Sequence, residues 1–128
     1  MEITSHIVDT PPRDAATVLM LREGSNGLEV LLLKRHTDSK DLGGAFVFPG
    51  GKRDEADTSP GALASLDQPL SALHAQLGEP DIAPEHAASL FVAALREAQE
   101  ECGLQLRCAD LRPWSRWITP RMLSLIHI

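Results

Sequence analysis

The segment from Pro84 to Gly103 constrains this chain most, because it reads as one long helix that ends in a cluster of like charges. Leu90, Ala94, Leu95 and Ala98 recur at helical spacing, and Phe91 and Val92 widen the apolar stripe. Pro84 beside Glu85 suits a helix start, and Gly103 suits a helix stop. Near the end, Glu97, Glu100 and Glu101 stand at i, i+3 and i+4, so all three carboxylates share one face. A solvated acidic face is the ordinary outcome for such a cluster. Here, however, the charges sit at the helix C-terminus, where the macrodipole disfavours them and Lys or Arg would be more natural. A cation among them would offset the repulsion, and hard oxygen donors favour Mg²⁺ or Mn²⁺ over zinc. Arg96, four residues before Glu100, offers a fork that can hold a carboxylate in a fixed rotamer. Leu95, Ala98 and Cys102 are left for packing.

A second feature gives the acidic helix a counterpart. Phe48-Pro49-Gly50-Gly51-Lys52 follows a short strand-like run, Ala45–Phe48. Two successive glycines let the backbone turn sharply and approach another group closely, and a glycine carbonyl there is a potential metal ligand. Taken alone this is an ordinary turn, but coupled to the carboxylate helix it reads as half of a site. Lys52 is as well explained as a solvated loop lysine as by a phosphate contact.

The rest of the chain is read as a frame for these two segments. With 128 residues it is expected to be one domain, and 43% hydrophobic residues suffice for a core. The net charge of −6 and the lack of a Lys/Arg-rich run argue against a nucleic-acid surface. No apolar run is long enough for a membrane span, and Met1–Arg13 lacks the apolar region of a signal peptide, so the cytoplasm is the expected location. Cys102 and Cys108 match no zinc spacing and read as small buried hydrophobes. Ala15–Arg22 and Leu28–Arg35 flank an Asn26-Gly27 turn signal and predict an antiparallel hairpin with a loop of about five residues. Leu63–Leu66 and Leu70–Leu77 are candidate short helices within a Pro-, Gly- and Ser-rich stretch otherwise read as a surface insertion. Leu104–Cys108 and Pro113–Ile118 are candidate strands, with Trp114 and Trp117 as core or edge-strand residues. His6, His36, His74, His86 and His127 form no local cluster and are assigned to surface or loop positions. Leu123–Ile128 is abruptly apolar: an edge strand is the ordinary reading, and a non-native tail on a natural chain cut near Arg121–Met122 is the sharper one.

Gly51, Asp57 and then Arg96-Glu97-Ala98-Gln99-Glu100-Glu101-Cys102-Gly103-Leu104 resemble the Nudix box: Gly, five residues, Glu, seven residues, then Arg-Glu-apolar-x-Glu-Glu-x-Gly-apolar. The second half matches at every specified position. Two departures stand out. Asp57 replaces the first Glu, and 38 residues rather than seven separate it from Arg96. Upstream, Leu31, Leu32, Arg35, Gly44, Phe48, Pro49, Gly50 and Gly51 fall in register with the motif of coenzyme A-directed Nudix enzymes. Leu33, His36 and Lys40 depart from it, and Lys40 keeps a charge while losing the bidentate fork of the expected Arg.

The resemblance implies an α/β fold, a Nudix-type α/β/α sandwich with a mixed sheet, incomplete at its C-terminus. It would form one domain over residues 1–128, with 58–84 inserted within the box and 123–128 as the doubtful tail. It implies a hydrolase cleaving the diphosphate of a nucleoside diphosphate linked to another moiety, coenzyme A or acyl-coenzyme A by the upstream motif. ADP-ribose, NADH, or a non-catalytic nucleotide-binding module are the alternatives. By resemblance, Glu97, Glu100 and Glu101 with the Gly51 carbonyl hold Mg²⁺ or Mn²⁺. Arg96 orients the carboxylates, and Lys52 and Arg35 contact the ligand. The implied partner is a small nucleoside diphosphate derivative, with no nucleic acid and no membrane; a homodimer is left open.

Overall fold

The structure is a computed structural model that describes residues 13–38 and 43–118. Lys40 of the upstream motif, His6, His127 and the tail 123–128 lie outside the described residues.

The strand-like runs of the first half form three antiparallel pairs, because each apolar run changes partner midway. Strand β1 (Ala15–Thr17) pairs with β6 (Gly50–Lys52), with Ala16 opposite Gly51. Pairing extends at both ends through Val18 N–H to the Pro49 carbonyl and Arg53 N–H to the Asp14 carbonyl. The same run then continues as β2 (Leu21–Gly24), which pairs with β3 (Gly27–Val30), and β4 (Leu33–Lys34) pairs with β5 (Phe46–Val47). Among the described residues the ladders are all antiparallel; the mixed sheet is not represented there by a parallel pair. The hairpin loop is shorter than expected. Gly24 pairs with Gly27, so Ser25 and Asn26 alone make the turn. Gly27 adopts φ 121°, a conformation open to glycine, which lets the second strand reverse within two residues. Arg22 and Glu29, opposite one another on one face, add an ion pair at 2.8 Å. The alternate positions Leu21, Leu28 and Val30 remain exposed.

Beyond β6 the chain turns helical. A 3-10 turn (Glu55–Thr58) is capped by Asp54, whose side chain accepts from Ala56 N–H, while Asp57 accepts from Asp54 N–H at 2.8 Å. Helix α1 (Pro60–Ala64) starts at Ser59, whose hydroxyl caps Ala62 N–H. Helix α2 (Leu70–Leu77) ends on Gly78 at φ 74°. Helix α3 (Pro84–Cys102) ends as the sequence predicts, with Gly103 at φ 70° and its N–H on the Gln99 carbonyl.

The segment 58–84 is not surface decoration. Leu73 of α2 is fully buried with Ala88, Phe91 and Cys108, and Leu63, Leu66, Leu70 and Leu77 pack around this cluster. The leucines at i, i+3 and i+7 of α2 give it an apolar stripe that is buried largely against α3. Neither candidate strand after α3 forms. The Cys108 N–H donates to the Asp67 carboxylate at 2.8 Å, which takes it out of any ladder and starts a 3-10 turn (Cys108–Asp110). Residues 113–118 have no strand partner among the described residues, and Trp114 and Trp117 are 90% and 74% exposed rather than packed.

Because Leu73 joins the inserted segment to the core, Leu73→Ala should cost about 2–5 kcal/mol of stability. Urea denaturation followed by circular dichroism checks this. A loss below about 1 kcal/mol would mean that the segment is peripheral after all.

Candidate active site

The site is built where α3 crosses the β1–β6 ladder. Ala87, Ala94 and Ala98 of α3 are buried, and the helix contacts both strands. Small residues along this stripe let the helix axis come close to the ladder, where the paired glycines present no side chains. A Cβ on Gly50 would meet the β1 backbone at Ala16 and Thr17; a Cβ on Gly51 would meet the Glu97 carboxylate. A side chain at the second glycine would therefore displace the Glu97 carboxylate. Gly50 N–H donates to Glu101 Oε1 at 3.4 Å.

Arg96 organises the acids. Its Nε donates to Asp57 Oδ1 at 2.9 Å and its Nη2 to Asp57 Oδ2 at 3.0 Å, a bidentate pair. Nη2 also donates to the Lys52 carbonyl at 3.1 Å. Nη1 donates to Glu97 Oε1 at 3.0 Å and Glu100 Oε2 at 3.4 Å. The fork thus goes first to Asp57, across the insertion, and only its remaining nitrogen reaches the helix glutamates. Asp57 is 2% exposed. Burial pushes its carboxyl up, but the Arg96 fork, the Asp54 N–H and the charges of Arg96 and Arg53 outweigh burial and hold it below its ordinary value. Asp57 therefore fills the pairing role that its shorter side chain left in question.

Glu97 and Glu101 converge. Burial, a hydrogen bond between their carboxyls and the charge of Glu97 push Glu101 up, against smaller lowering effects from Gly50 N–H and Arg35. Two acids brought together beside a glycine turn offer hard-oxygen donors of the kind a divalent cation takes once both are deprotonated. Glu100 stands apart, its side chain 59% exposed and turned to Arg96. Among the described residues, no three His, Cys, Asp or Glu side chains already surround a common point as a metal shell would.

The other expected residues are placed as follows. Lys52 contributes its backbone carbonyl rather than its ammonium to the network, a role that side-chain reasoning does not reveal. Arg35, exposed after β4, is near enough for its charge to act on Glu101. His36 lies in an exposed loop, His74 meets the Glu79 carbonyl, and His86 binds Asp14. None of these three joins the acids. Cys102 and Cys108 are free, and burial followed by the Asp67 carboxylate pushes the Cys108 thiol up to about 11.

This frame is similar to a solved one. A Nudix hydrolase from Alicyclobacillus acidocaldarius superposes with a TM-score of 0.56 and 31% sequence identity over 77% of this chain. The fold is of the Nudix α/β type. The chain spans about 40% of the length of that Nudix hydrolase, and no family model matches it. Among the described residues no helix is long and apolar enough to cross a membrane.

Asp57→Asn should destabilise the fold by about 3 kcal/mol at neutral pH by leaving Arg96 without its buried counter-charge. The acid dependence should change with it. Because the folded carboxyl lies below the unfolded one, its contribution is complete above about pH 4 and fades as pH falls toward the folded value. The variant should lose this part of the acid slope. Urea midpoints measured from pH 7 down to pH 3 for both proteins test it, and parallel curves would refute it.

Proposed function

We propose that this chain carries the active centre of a Nudix hydrolase that cleaves the diphosphate of a nucleoside diphosphate linked to another moiety, with coenzyme A or an acyl-coenzyme A as substrate. The observation that carries the reading is the Arg96 network. It joins Asp57, the Lys52 carbonyl, Glu97 and Glu100 across a 38-residue interruption, and so rebuilds one site from two distant segments. The substrate follows from the upstream motif, in which Arg35 falls at the coenzyme A-directed position.

Glu97 and Glu101, with the Gly51 carbonyl, would hold Mg²⁺ or Mn²⁺, and Glu100 would join them by turning away from Arg96. Such an ion would supply charge neutralisation of the diphosphate and activation of water. Arg96 fixes the rotamer of Glu97, and its charge is satisfied by that task. Arg35, whose charge acts on Glu101, and the ammonium of Lys52 would then meet the phosphates. Asp57 makes a bidentate pair with Arg96, which supports the catalytic reading over a non-catalytic module.

Magnesium-dependent release of a nucleoside monophosphate from coenzyme A should be measurable, and Glu97→Gln should lower kcat by about a hundredfold. If wild type and variant are equally inert on coenzyme A, ADP-ribose and NADH, the hydrolase reading fails. Faster turnover of ADP-ribose overturns only the substrate.

The two glycines should separate stability from activity. Gly50→Ala drives a Cβ into β1 backbone and should lower the melting temperature. Gly51→Ala meets only the end of a movable side chain, so it should leave stability nearly unchanged while displacing Glu97 and reducing kcat by about tenfold or more. Paired melting and kinetic measurements check this, and equal activity in Gly51→Ala and wild type contradicts it.

A further inference from the structure

The two-residue alternation of a strand sorts the first half of the chain onto two faces. Leu21 lies opposite Val30 and Glu23 opposite Leu28, and the bond from Leu31 N–H to the Met20 carbonyl carries this register one step further. In the next ladder Lys34 lies opposite Phe46. One face then holds Val18, Met20, Leu33 and Val47, all buried or half-buried. The other holds Leu21, Leu28, Val30, Leu32, Phe46 and Phe48, and every one of them is exposed, Leu28 by 70% and Phe46 by 66%. An antiparallel layer that turns one face to water places polar residues on it. This face is aliphatic and aromatic instead. It presents on the order of 600 Å² of apolar surface, at the upper limit of what a monomer leaves open. The helices meet the strands at β1 and β6 and leave this face uncovered.

The two ends of the face carry opposite charges. Exposed Glu23, opposite Leu28, closes it at the hairpin turn. Lys34 closes it at the other end, with its ammonium 5.9 Å from the centroid of the Phe46 ring. About 20 Å of strand separates Leu28 from Lys34. We propose that a second copy of this chain covers the face, the two copies packing face to face about a twofold axis with their β3–β4 runs antiparallel. A twofold axis makes every contact reciprocal. That orientation lays the Glu23–Leu28 end of each copy over the Lys34–Phe46 end of the other, whereas a parallel pairing would set Glu23 on Glu23 and Lys34 on Lys34. The apolar area, with its charged ends, approaches the roughly 800 Å² that a stable interface takes from each partner. Arg35, next along the chain, alternates to the opposite face, so the dimer leaves the candidate site open. The dimer does not depend on the hydrolase reading.

The test is sedimentation equilibrium of the full chain at micromolar concentration, with circular dichroism to show that each variant is folded. The wild type should sediment as a dimer. Leu28→Glu, which puts a charge in the centre of the contact, should weaken association about a hundredfold or more and leave a monomer. Glu23→Lys should weaken it about tenfold, and adding Lys34→Glu to that variant should restore it, because the exchanged charges match again. Should Leu28→Glu fold poorly, the charge exchange decides alone. A monomeric wild type, whatever else then covers the face, overturns the proposal. So does a mass that climbs with concentration past that of a dimer, or a double variant that associates no more tightly than Glu23→Lys.

Discussion

The structure depends on the ion pair between Arg96 and Asp57. A carboxylate as buried as Asp57 is tolerable only with a full complement of partners, and it receives three N–H groups: two from the guanidinium and one from Asp54. The guanidinium in turn reaches a second backbone segment at the Lys52 carbonyl and two glutamates on its own helix. One residue thereby fixes the distance between the end of β6, the 3-10 turn and the last turns of α3. The shorter aspartate works because its own turn, closed by the reciprocal Asp54–Asp57 bonds, brings the backbone in under the helix.

The two sides of α3 solve different problems. Toward the strands it carries buried alanines, which bring Glu97 and Glu101 against the glycine turn. Toward the inserted helices it carries Ala88, Phe91 and Leu95, which meet Leu73 and its neighbours. A larger residue on the first side would lift the acids away, and a smaller one on the second would loosen the support behind them.

Elements whose signals are local were legible from the sequence. The helix from Pro84 to Gly103 follows from apolar spacing and its end residues, and the one-face placement of the three glutamates follows from the helix. What pattern cannot carry is choice of partner. The runs Ala15–Arg22 and Leu28–Arg35 read as whole strands, yet each divides between two ladders, because pairing is decided by what lies alongside. The fork of Arg96 pointed by sequence proximity to Glu100, but the stronger partner is Asp57, 39 positions away. Leu70–Leu77 was legible as a short helix, but the burial of Leu73 was not, because it comes from packing on α3. The segment after Gly103 has strand-like composition, but an aspartate from the insertion takes the N–H that a ladder needs. The comparison with a known Nudix hydrolase secures the fold type, and the upstream motif, with Lys40 outside the described residues, bears on the substrate.

The meeting of Asp57 with Arg96 has a kinetic side. Their contact closes a loop of 38 residues where the uninterrupted box closes one of seven. Loop-closure entropy makes the longer ring about 1.5 kcal/mol harder to shut. That deficit is recovered only once Leu73 and its flanking leucines have docked on α3. Docking of the inserted helices on α3 shortens the ring that remains to be closed, so the core and the site favour one another's assembly.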